Sequence, residues 1–423
     1  MKHLTFIGIA ALLCGAIQAA ENPSARVSIA DAGAIGDGQT LNTVAIQKSI
    51  DQLAGSGGGT VVVPEGVFVS GALQFKPGVN LHLAKNGTLR CSTDMSHFPP
   101  CRTRIEGLFE ESYTPALINA RDCDGLRITG EGVLDGAGRS TWDLFWKLRK
   151  ASPDPENFRN LSIPRARLAF IENCRNLLIE GVTFKDSQFW NLHLYRCRDA
   201  KVRSVRFTVP DDYKWAPSTD GLDLDSCQDV IVDNCFFSVT DDCIALKGSR
   251  GPEAVLDKLS PPDERVRITN CIFKRGYGAV TLGSDASVVR DVRAENCQVI
   301  GNMPLLRLKL RPDTRQLYEN LVVSNSSLQG RHATLIAIDP WKQYCDLKGH
   351  PAPKSIVRNV NVSGITGEFR SLGTIRGNPG QTEISDITLE HIDVKLSDRK
   401  FVTENVKNLQ LKNVVVNGTP LTK

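Results

Sequence analysis

The chain of 423 residues lacks several features that mark common classes of protein. Its net charge of +4 comes without any run of lysine and arginine, so we expect no nucleic-acid partner. No cysteine pair has CxxC spacing, and no cysteine is grouped with histidine as in a zinc site. We therefore expect neither a metal ion nor a cofactor. Aromatic residues make up only 6% of the chain and there are 35 glycines, which predicts many turns and few helices.

Long apolar runs are also absent, except at the start of the chain. A positively charged start, an apolar segment over residues 4–13 and small residues at Ala19 and Ala20 predict a signal peptide over residues 1–20. The mature protein is then expected in the periplasm or the extracellular space, with no membrane attachment. Cys14 leaves open the alternative of a lipid-anchored precursor.

The chain has twelve cysteines, which in an exported protein would suggest disulfides. Most of them, however, lie in strand-like segments, and several directly follow an asparagine or aspartate. Such thiols are interpreted as small apolar residues of a core. Only Cys91 and Cys101, which flank a short loop with prolines, are placed for a disulfide. We expect four of the others to be free and buried, namely Cys174, Cys197, Cys227 and Cys271.

The strongest signal in the sequence is a repeated strand. The segments LDLDSC (222–227), IALKGS (244–249) and VTLGSD (280–285) alternate apolar and polar residues, and a second alternating run follows each of them. Tandem units of about 20–30 residues are typical of stacked β-solenoids. An immunoglobulin-like sandwich, the alternative all-β fold, does not explain a strand motif that recurs in register. We predict an all-β, right-handed parallel β-helix, forming a single monomeric domain over residues 21–423.

One short helix is predicted near the N-terminus. Residues 43–54 have apolar positions at helical spacing with Asn42 at the N-cap position, and this helix would cover the open end of the solenoid. The glycine-rich segment 55–60 precedes a strand and lacks the lysine of a phosphate-binding loop, so it is interpreted as a turn.

Three aspartates fall at corresponding positions of neighbouring repeats. Aligning Leu222 with Ile244 places Asp220 beside Asp242, with Asp241 one residue earlier. Neighbouring strands lie about 4.8 Å apart, so the carboxylates are forced together and at least one pKa should rise. A protonated carboxyl and a carboxylate that holds a water are what inverting glycoside hydrolysis needs. The register favours Asp220 and Asp242 as the pair that holds the water and Asp241 as the general acid.

Two cations lie downstream of these aspartates. Arg307 and Lys309 are two residues apart on a predicted strand, so their side chains face the same side. They could neutralise the aspartates, or they could bind the carboxylate of an acidic sugar, for which arginine offers a bidentate fork. We favour the second role because an acidic sugar needs such a clamp.

Four further residues are weaker candidates. His193 is predicted to point outward on the coil before the aspartates, where it could bind a sugar hydroxyl or remain a surface histidine. Arg167 aligns one coil earlier, with the same alternatives. Trp341 and Tyr344, in the segment DPWKQY, could stack on a sugar ring or only pack against the protein.

Four short motifs resemble, in order, those of family 28 of the glycoside hydrolases, the polygalacturonase family. They are STDG (218–221) for Asn-Thr-Asp, TDDC (240–243) for Gly-Asp-Asp, GYG (276–278) for Gly-His-Gly and RLK (307–309) for Arg-Ile-Lys. The resemblance extends from about Val27 to Leu347. It implies a secreted β-helical hydrolase whose partner is pectin, an acidic polysaccharide of plant cell walls. It also implies that Asp220, Asp241 and Asp242 are catalytic.

Two positions depart from the family pattern. Ser218 stands where many members have asparagine, and Tyr277 stands where its polygalacturonases carry histidine. A phenol, with a pKa near ~10, cannot act as an imidazolium. Tyr277 aligns one coil after Asp241, so we expect it to reach the cleft and contact substrate. The departure predicts that the enzyme cleaves rhamnogalacturonan or branched pectin better than plain homogalacturonan.

Three alternatives remain open from the sequence. The first is an ordinary exo-polygalacturonase. The second is a pectate lyase, which shares the β-helix but needs a Ca²⁺ cluster and a basic catalytic residue. The third is a β-helix that binds carbohydrate without cleaving it.

Overall fold

The structure, a computed structural model, describes residues 25–421. The predicted signal peptide and Cys14 lie outside these residues. Within residues 25–421, no helix combines the length and the apolar character needed to cross a membrane. Strands dominate the described chain, and helices are few.

The strands form three parallel sheets, which we number in the order in which each coil of the chain crosses them. One coil passes through Leu222–Asp225 in sheet 1, Gln228–Asp233 in sheet 2 and Phe236–Ser238 in sheet 3, and it then enters sheet 1 again at Ile244. Parallel strands in one sheet are joined almost always by right-handed crossovers, so the coil is right-handed. The predicted all-β parallel β-helix is confirmed.

Sheet 1 contains the strands Leu73–Phe75, Ile118–Arg121, Ala169–Glu172, Leu192–Tyr195, Leu222–Asp225, Ile244–Lys247, Val280–Leu282, Pro304–Leu310 and Phe401–Thr403. Sheet 2 contains Arg26–Ser28, Gly59–Val63, Val79–Leu83, Arg127–Gly130, Leu178–Glu180, Arg198–Arg203, Gln228–Asp233, Asp263–Thr269, Val288–Glu295 and Leu317–Ser324. Sheet 3 contains Asp37–Leu41, Gly66–Ser70, Gly87–Cys91, Val133–Asp135, Thr183–Lys185, Arg206–Thr208, Phe236–Ser238, Ile272–Arg275 and Gln298–Val299. Four long strands continue from one sheet into the next, namely Ser327–Pro340, Ser355–Ile375, Thr382–Leu396 and Val406–Val416. The last of these also pairs in antiparallel fashion with Thr419–Pro420.

The interior of the coil is filled by columns of like side chains, because strands in parallel register place corresponding residues one above the other. In sheet 3 one such column is a stack of rings with centroids 4.9–5.2 Å apart, formed by Phe184, Phe207, Phe237 and Phe273. Cysteine side chains form further columns in the interior of the coil. The four predicted to be free and buried are so in the structure, namely Cys174, Cys197, Cys227 and Cys271.

The asparagines that precede several cysteines have a backbone role at the corners of the coil. Asparagine adopts the left-handed conformation more readily than most residues. Four of them have φ between 53° and 56°, namely Asn173, Asn234, Asn270 and Asn296. Their amides also link coils, since Asn270 Nδ2 donates to Asp233 Oδ1 at 2.8 Å. The repeated Asn-Cys pair is therefore a corner followed by an inward-pointing core residue.

The N-terminal end of the coil is covered by helix α1 (Thr43–Gly55), close to the predicted 43–54. Its buried side chains include Ile46 and Leu53. Asn42 stands at the N-cap position as predicted, and its carbonyl O accepts from the Ile46 backbone N at 3.0 Å. Its side chain does not cap the helix, because Oδ1 accepts instead from the Ile35 backbone N at 2.7 Å.

Two elements outside the repeating coil were not predicted. Both are inserted where the chain passes from sheet 3 to sheet 1. The first is an antiparallel hairpin of Cys101–Ile105 and Leu108–Tyr113, and the second is helix α2 (Arg139–Ala151). Residues of α2 that bury against the coil include Trp142 and Phe145.

The disulfide predicted between Cys91 and Cys101 is wrong, since both thiols are free. Cys91 ends the sheet 3 strand Gly87–Cys91 and points into the core, where it is 1% exposed. Cys101 begins the external hairpin and is exposed. The side chains therefore face different environments.

We expect an alkylating reagent to distinguish these thiols in the native protein. Cys101 should react, whereas Cys174, Cys197 and Cys227 should not, because they lie inside the coil and burial holds the pKa of the Cys197 thiol well above its ordinary value. Mass spectrometry of peptides from native and denatured samples measures this. Modification of the core thiols at the rate of Cys101 would contradict the buried columns.

Candidate active site

A cleft of about 250 Å³ lies over the outward face of sheet 1. Segments that join sheet 3 to sheet 1 supply part of its lining, including Trp146 and Arg149 of α2 and Trp215 of the loop 209–218. Trp341, which follows a sheet 1 strand, lines it as well. Three aspartates lie at the centre of the lining, namely Asp220, Asp241 and Asp242.

The aspartates are brought together by the register of sheet 1. Leu222 pairs with Ile244, and the Gly221 backbone N donates to the Asp242 carbonyl O at 2.9 Å, so Asp220 and Asp242 occupy the same position on adjacent coils. One carboxylate oxygen from each of the three residues lies within 4.8 Å of the other two. The predicted alignment is confirmed.

Asp242 is held in its ionised form. Its Oδ2 lies 2.5 Å from Lys309 Nζ, and its Oδ1 accepts from Thr281 Oγ1 at 2.9 Å. Burial alone would raise its pKa, but the positive charges of Lys309 and Lys247 outweigh burial and hold the pKa of Asp242 below its usual range. This carboxylate therefore carries a negative charge at neutral pH.

The other two carboxyl groups of the trio hold protons more tightly. Burial, followed by the negative charge of Asp241, raises the pKa of Asp220 well above its usual value. Burial, followed by the charge of Asp242, raises the pKa of Asp241. Asp241 is partly exposed to the cleft, whereas Asp220 is 3% exposed. The trio thus combines one fixed carboxylate with groups that are able to carry a proton.

Lys247 and Asp223, which the sequence analysis did not single out, extend the network. Lys247 Nζ lies 3.4 Å from Asp220 Oδ2 and 3.4 Å from Asp223 Oδ1, and 4.5 Å from the centre of a Trp190 ring. Burial raises the pKa of Asp223 to about 7. Lys247 could have been found from the sequence. The alignment of Leu222 with Ile244 also places Lys247 beside Asp225 of the preceding coil, and a cation beside an acid on the cleft face is a candidate for the site.

Tyr277, Arg307 and Trp341 form a wall beside the aspartates. The Tyr277 backbone N donates to the Asp241 carbonyl O at 2.9 Å, as the predicted alignment requires, and its ring lines the cleft. Arg307 Cζ lies 4.1 Å from the Tyr277 ring centre and 5.7 Å from that of Trp341. Arg307 is partly exposed and Lys309 is buried against Asp242, so these two cations have different surroundings.

His193 and Arg167 lie on the outward face of sheet 1, but the predicted access to a sugar is wrong, because both side chains are fully buried. Arg167 Nη1 lies 2.6 Å from His193 Nδ1, and His193 Nε2 lies 3.5 Å from Asp225 Oδ2. Burial lowers the pKa of His193 to about 4, so it is neutral. The hairpin covers this part of sheet 1: Arg104 Nε donates to Asp225 Oδ2 at 3.0 Å. Neither His193 nor Arg167 is available to a ligand.

Tyr344 is also structural, since its hydroxyl donates to the Phe158 carbonyl O at 2.7 Å. Covering segments of this kind could not be placed from the repeat, because they lie outside it. The same is true of the tryptophans at 146 and 215, whose segments meet where Trp146 Nε1 donates to the Trp215 carbonyl O at 2.6 Å.

The three carboxylates are of a ligand type that could hold a divalent cation. Two of them, however, are already within ion-pair distance of an ammonium group: Asp242 with Lys309 and Asp220 with Lys247. The cleft balances its negative charge with lysine side chains, an arrangement that suits proton transfer more than metal ligation.

Comparison with known proteins agrees with this geometry. The sequence model of Glycosyl hydrolases family 28 matches residues 57–415. An exopolygalacturonase of Zea mays is 28% identical over 368 residues, which cover 82% of this chain and 78% of the relative. An exo-poly-alpha-D-galacturonosidase of Dickeya chrysanthemi is 26% identical over 465 residues, with 94% and 75% covered.

Among solved structures, a hyperthermoactive exopolygalacturonase from Thermotoga maritima shares the fold. Its TM-score is 0.75 at 24% identity, with 94% of this chain and 93% of that chain covered. The family model spans most of the described coil and includes every aspartate of the trio. The chain belongs to family 28 of the glycosyl hydrolases.

Proposed function

We propose that this glycoside hydrolase cleaves galacturonic-acid linkages of pectic polysaccharides. The observation that carries the proposal is the pairing of Asp242, held ionised by Lys309, with the partly exposed Asp241, whose pKa burial raises. Two carboxyl groups whose environments push their pKa values apart can serve one reaction as base and acid. The named relatives act on galacturonan chains, which supports the choice of substrate.

In the proposed reaction Asp241 donates its proton to the oxygen that leaves with the departing sugar. Its access to the cleft favours Asp241 for this step over the more deeply buried Asp220. Asp242 accepts a proton from the attacking water, and Asp220 holds the same water, as a hydrogen-bond donor when it is itself protonated. Water thereby replaces the leaving sugar at the anomeric carbon, and no metal or cofactor takes part.

Arg307 is proposed to bind the carboxylate of a galacturonate residue. It is the partly exposed cation of the pair, and its guanidinium lies beside the rings of Tyr277 and Trp341, both of which line the cleft. Lys309 is proposed to act on the substrate indirectly, by keeping Asp242 charged. A lyase would also need a Ca²⁺ cluster, whereas two of the three carboxylates are already within ion-pair distance of a lysine, Asp242 with Lys309 and Asp220 with Lys247.

Two substrates remain candidates within this reaction. The names of the relatives favour unsubstituted galacturonan attacked from a chain end. Tyr277 favours rhamnogalacturonan or branched pectin, because its neutral ring, 39% exposed, occupies a position for which the family resemblance implies a histidine. Such polymers are met outside the cell, so the proposal includes the export predicted from residues 1–20.

Replacing Asp241 by asparagine should abolish most activity, because an amide cannot protonate the leaving oxygen. The expected loss in kcat is about 10²–10⁴-fold, with the melting temperature little changed. Asp386→Asn is the matched control: Asp386 lies on the outer side of the coil with φ 57°, a conformation that asparagine also adopts. Near-native turnover by Asp241→Asn would remove Asp241 from the mechanism.

The first product released should have inverted anomeric configuration. Inversion is expected because Asp220 and Asp242, at the same position on adjacent coils, can hold one water between them for direct attack on the anomeric carbon. Proton NMR during early turnover distinguishes the outcomes, and a retained configuration would exclude single displacement by water.

Tyr277 should determine the choice of polymer. We expect the native enzyme to cleave rhamnogalacturonan or branched pectin faster than smooth polygalacturonate. Tyr277→His should shift the ratio of kcat/KM values toward polygalacturonate by roughly tenfold, about 1.4 kcal/mol of transition-state binding. Tyr277→Phe, which keeps the ring, serves as control. If the native enzyme prefers smooth polygalacturonate, Tyr277 only packs and an exo-polygalacturonase is the better description.

A further inference from the structure

A second charged surface lies on sheet 2, away from the cleft. The column that contains it is defined by the parallel register on seven consecutive coils, with Arg127, Leu178, Lys201, Ile231, Arg267, Arg293 and Val322 at corresponding outward positions. We call this set the basic column. Its four cations are exposed, and it contains no acidic residue.

None of the four cations has a partner for its side chain within residues 25–421. Their side chains make neither an ion pair nor a hydrogen bond there. Arg267 and Arg293 are directly paired on adjacent coils, about 4.8 Å apart. Like charges at directly opposite positions of a sheet destabilise it. The column therefore gives the fold no stabilising ion pair, and its repulsion would be relieved by an anionic ligand.

Five members of the column, all except Arg127 and Leu178, line a groove of about 920 Å³ that shares no lining residue with the catalytic cleft. The other wall of the groove is a row of residues in the left-handed conformation, among them Asp199, Asp229 and Asp291, which bend each strand and make the face concave. Asp229 is ion-paired with Arg265 Nε at 2.6 Å, and Asp291 accepts from Asn320 Nδ2 at 2.9 Å. Most of the negative charge on this wall is therefore already engaged.

We propose that the basic column is a second binding site for an acidic polysaccharide, a polyuronate chain lying along the axis of the coil. The proposal rests on the proposed function, which supplies such a polymer. Each uronate sugar presents a carboxylate that an arginine fork can bind and a ring face that an aliphatic side chain can cover. The groove offers both at the spacing of the coils, with the cations Lys201, Arg267 and Arg293 and the aliphatic side chains of Ile231 and Val322.

Such a site would hold a long polymer while the cleft on sheet 1 acts on it. Linking two binding events through one chain raises the effective concentration at the second site. Oligosaccharides too short to reach the column would gain nothing from it. The column should therefore affect KM for polymers and leave both kcat and the cleavage of short substrates unchanged.

The test compares Arg267→Gln/Arg293→Gln with Lys48→Gln/Lys85→Gln, a control that also removes two exposed positive charges but lies outside the column. In an Asp241→Asn background, binding of polygalacturonate is measured by titration at low and physiological ionic strength. The column variant should bind about three- to tenfold more weakly than the control, as expected for the loss of two exposed charge contacts. Fully methyl-esterified pectin should bind the background protein and the column variant equally weakly.

With Asp241 intact, the column variant should raise KM for the polymer and leave kcat/KM for a galacturonate trisaccharide unchanged. Equal polymer binding by the column variant and the control would overturn the proposal, and so would undiminished binding of the esterified polymer. If no galacturonan is cleaved but polymer binding still depends on Arg267 and Arg293, the proposed function fails and the column stands. If the trisaccharide is cleaved and polymer binding is independent of the column, only the column fails.

Discussion

The parallel register between successive coils is the constraint on which the site depends. Each backbone hydrogen bond that joins one coil to the next also fixes which side chain lies above which. Asp220 lies over Asp242 because Leu222 pairs with Ile244, and Tyr277 follows Asp241 because Ile244 pairs with Val280. A slip of one residue would turn these side chains to the opposite face of the sheet. The core columns of phenylalanine and cysteine oppose such a slip, so the interior packing holds the carboxylates in place.

The same register crowds negative charge into a nearly dry site. Three carboxylates this close could not all be ionised without compensation. Lys309 and Lys247 compensate unequally, since the Lys309 ammonium is in direct contact with Asp242 whereas that of Lys247 lies between Asp220 and Asp223. This difference in cation contact lowers the pKa of Asp242, whereas the pKa values of Asp220 and Asp241 are raised. A symmetric arrangement of cations would have left three similar groups and no division into proton donor and acceptor.

Much of this arrangement could be predicted from the sequence, because the apolar positions of one repeat can be aligned with those of the next. The solenoid, the helix at its N-terminal end, the stacking of Asp220 on Asp242 and the stacking of Asp241 on Tyr277 could all be predicted from the spacing of apolar positions. The repeat does not show, however, which outward-facing side chains are covered by segments outside the coil. His193 and Arg167 occupy outward positions but are covered by a hairpin that the repeat does not encode, where Arg104 reaches Asp225.

The prediction of a disulfide was wrong for a related reason. Cys91 and Cys101 are close in the sequence, but their spacing does not show that the Cys91 side chain points into the core. Helix α2 was missed because it interrupts the strand pattern. What the sequence left undetermined was thus concentrated in the segments between the coils. These segments supply Trp146, Trp215 and Trp341, and so most of the aromatic surface of the cleft.

The coil supplies the carboxylates of the cleft and the connecting segments supply much of its wall, and this separation has an evolutionary consequence. The passage from sheet 3 to sheet 1 holds a helix in one coil, a hairpin in another and a few residues in a third, yet the strands on either side keep their pairing. Insertions and deletions there are thermodynamically cheap, because the cost of closing a loop grows slowly with its length. Descendants of this chain can therefore acquire a differently shaped cleft by exchanging loops, while the three carboxylates of sheet 1 are inherited unchanged.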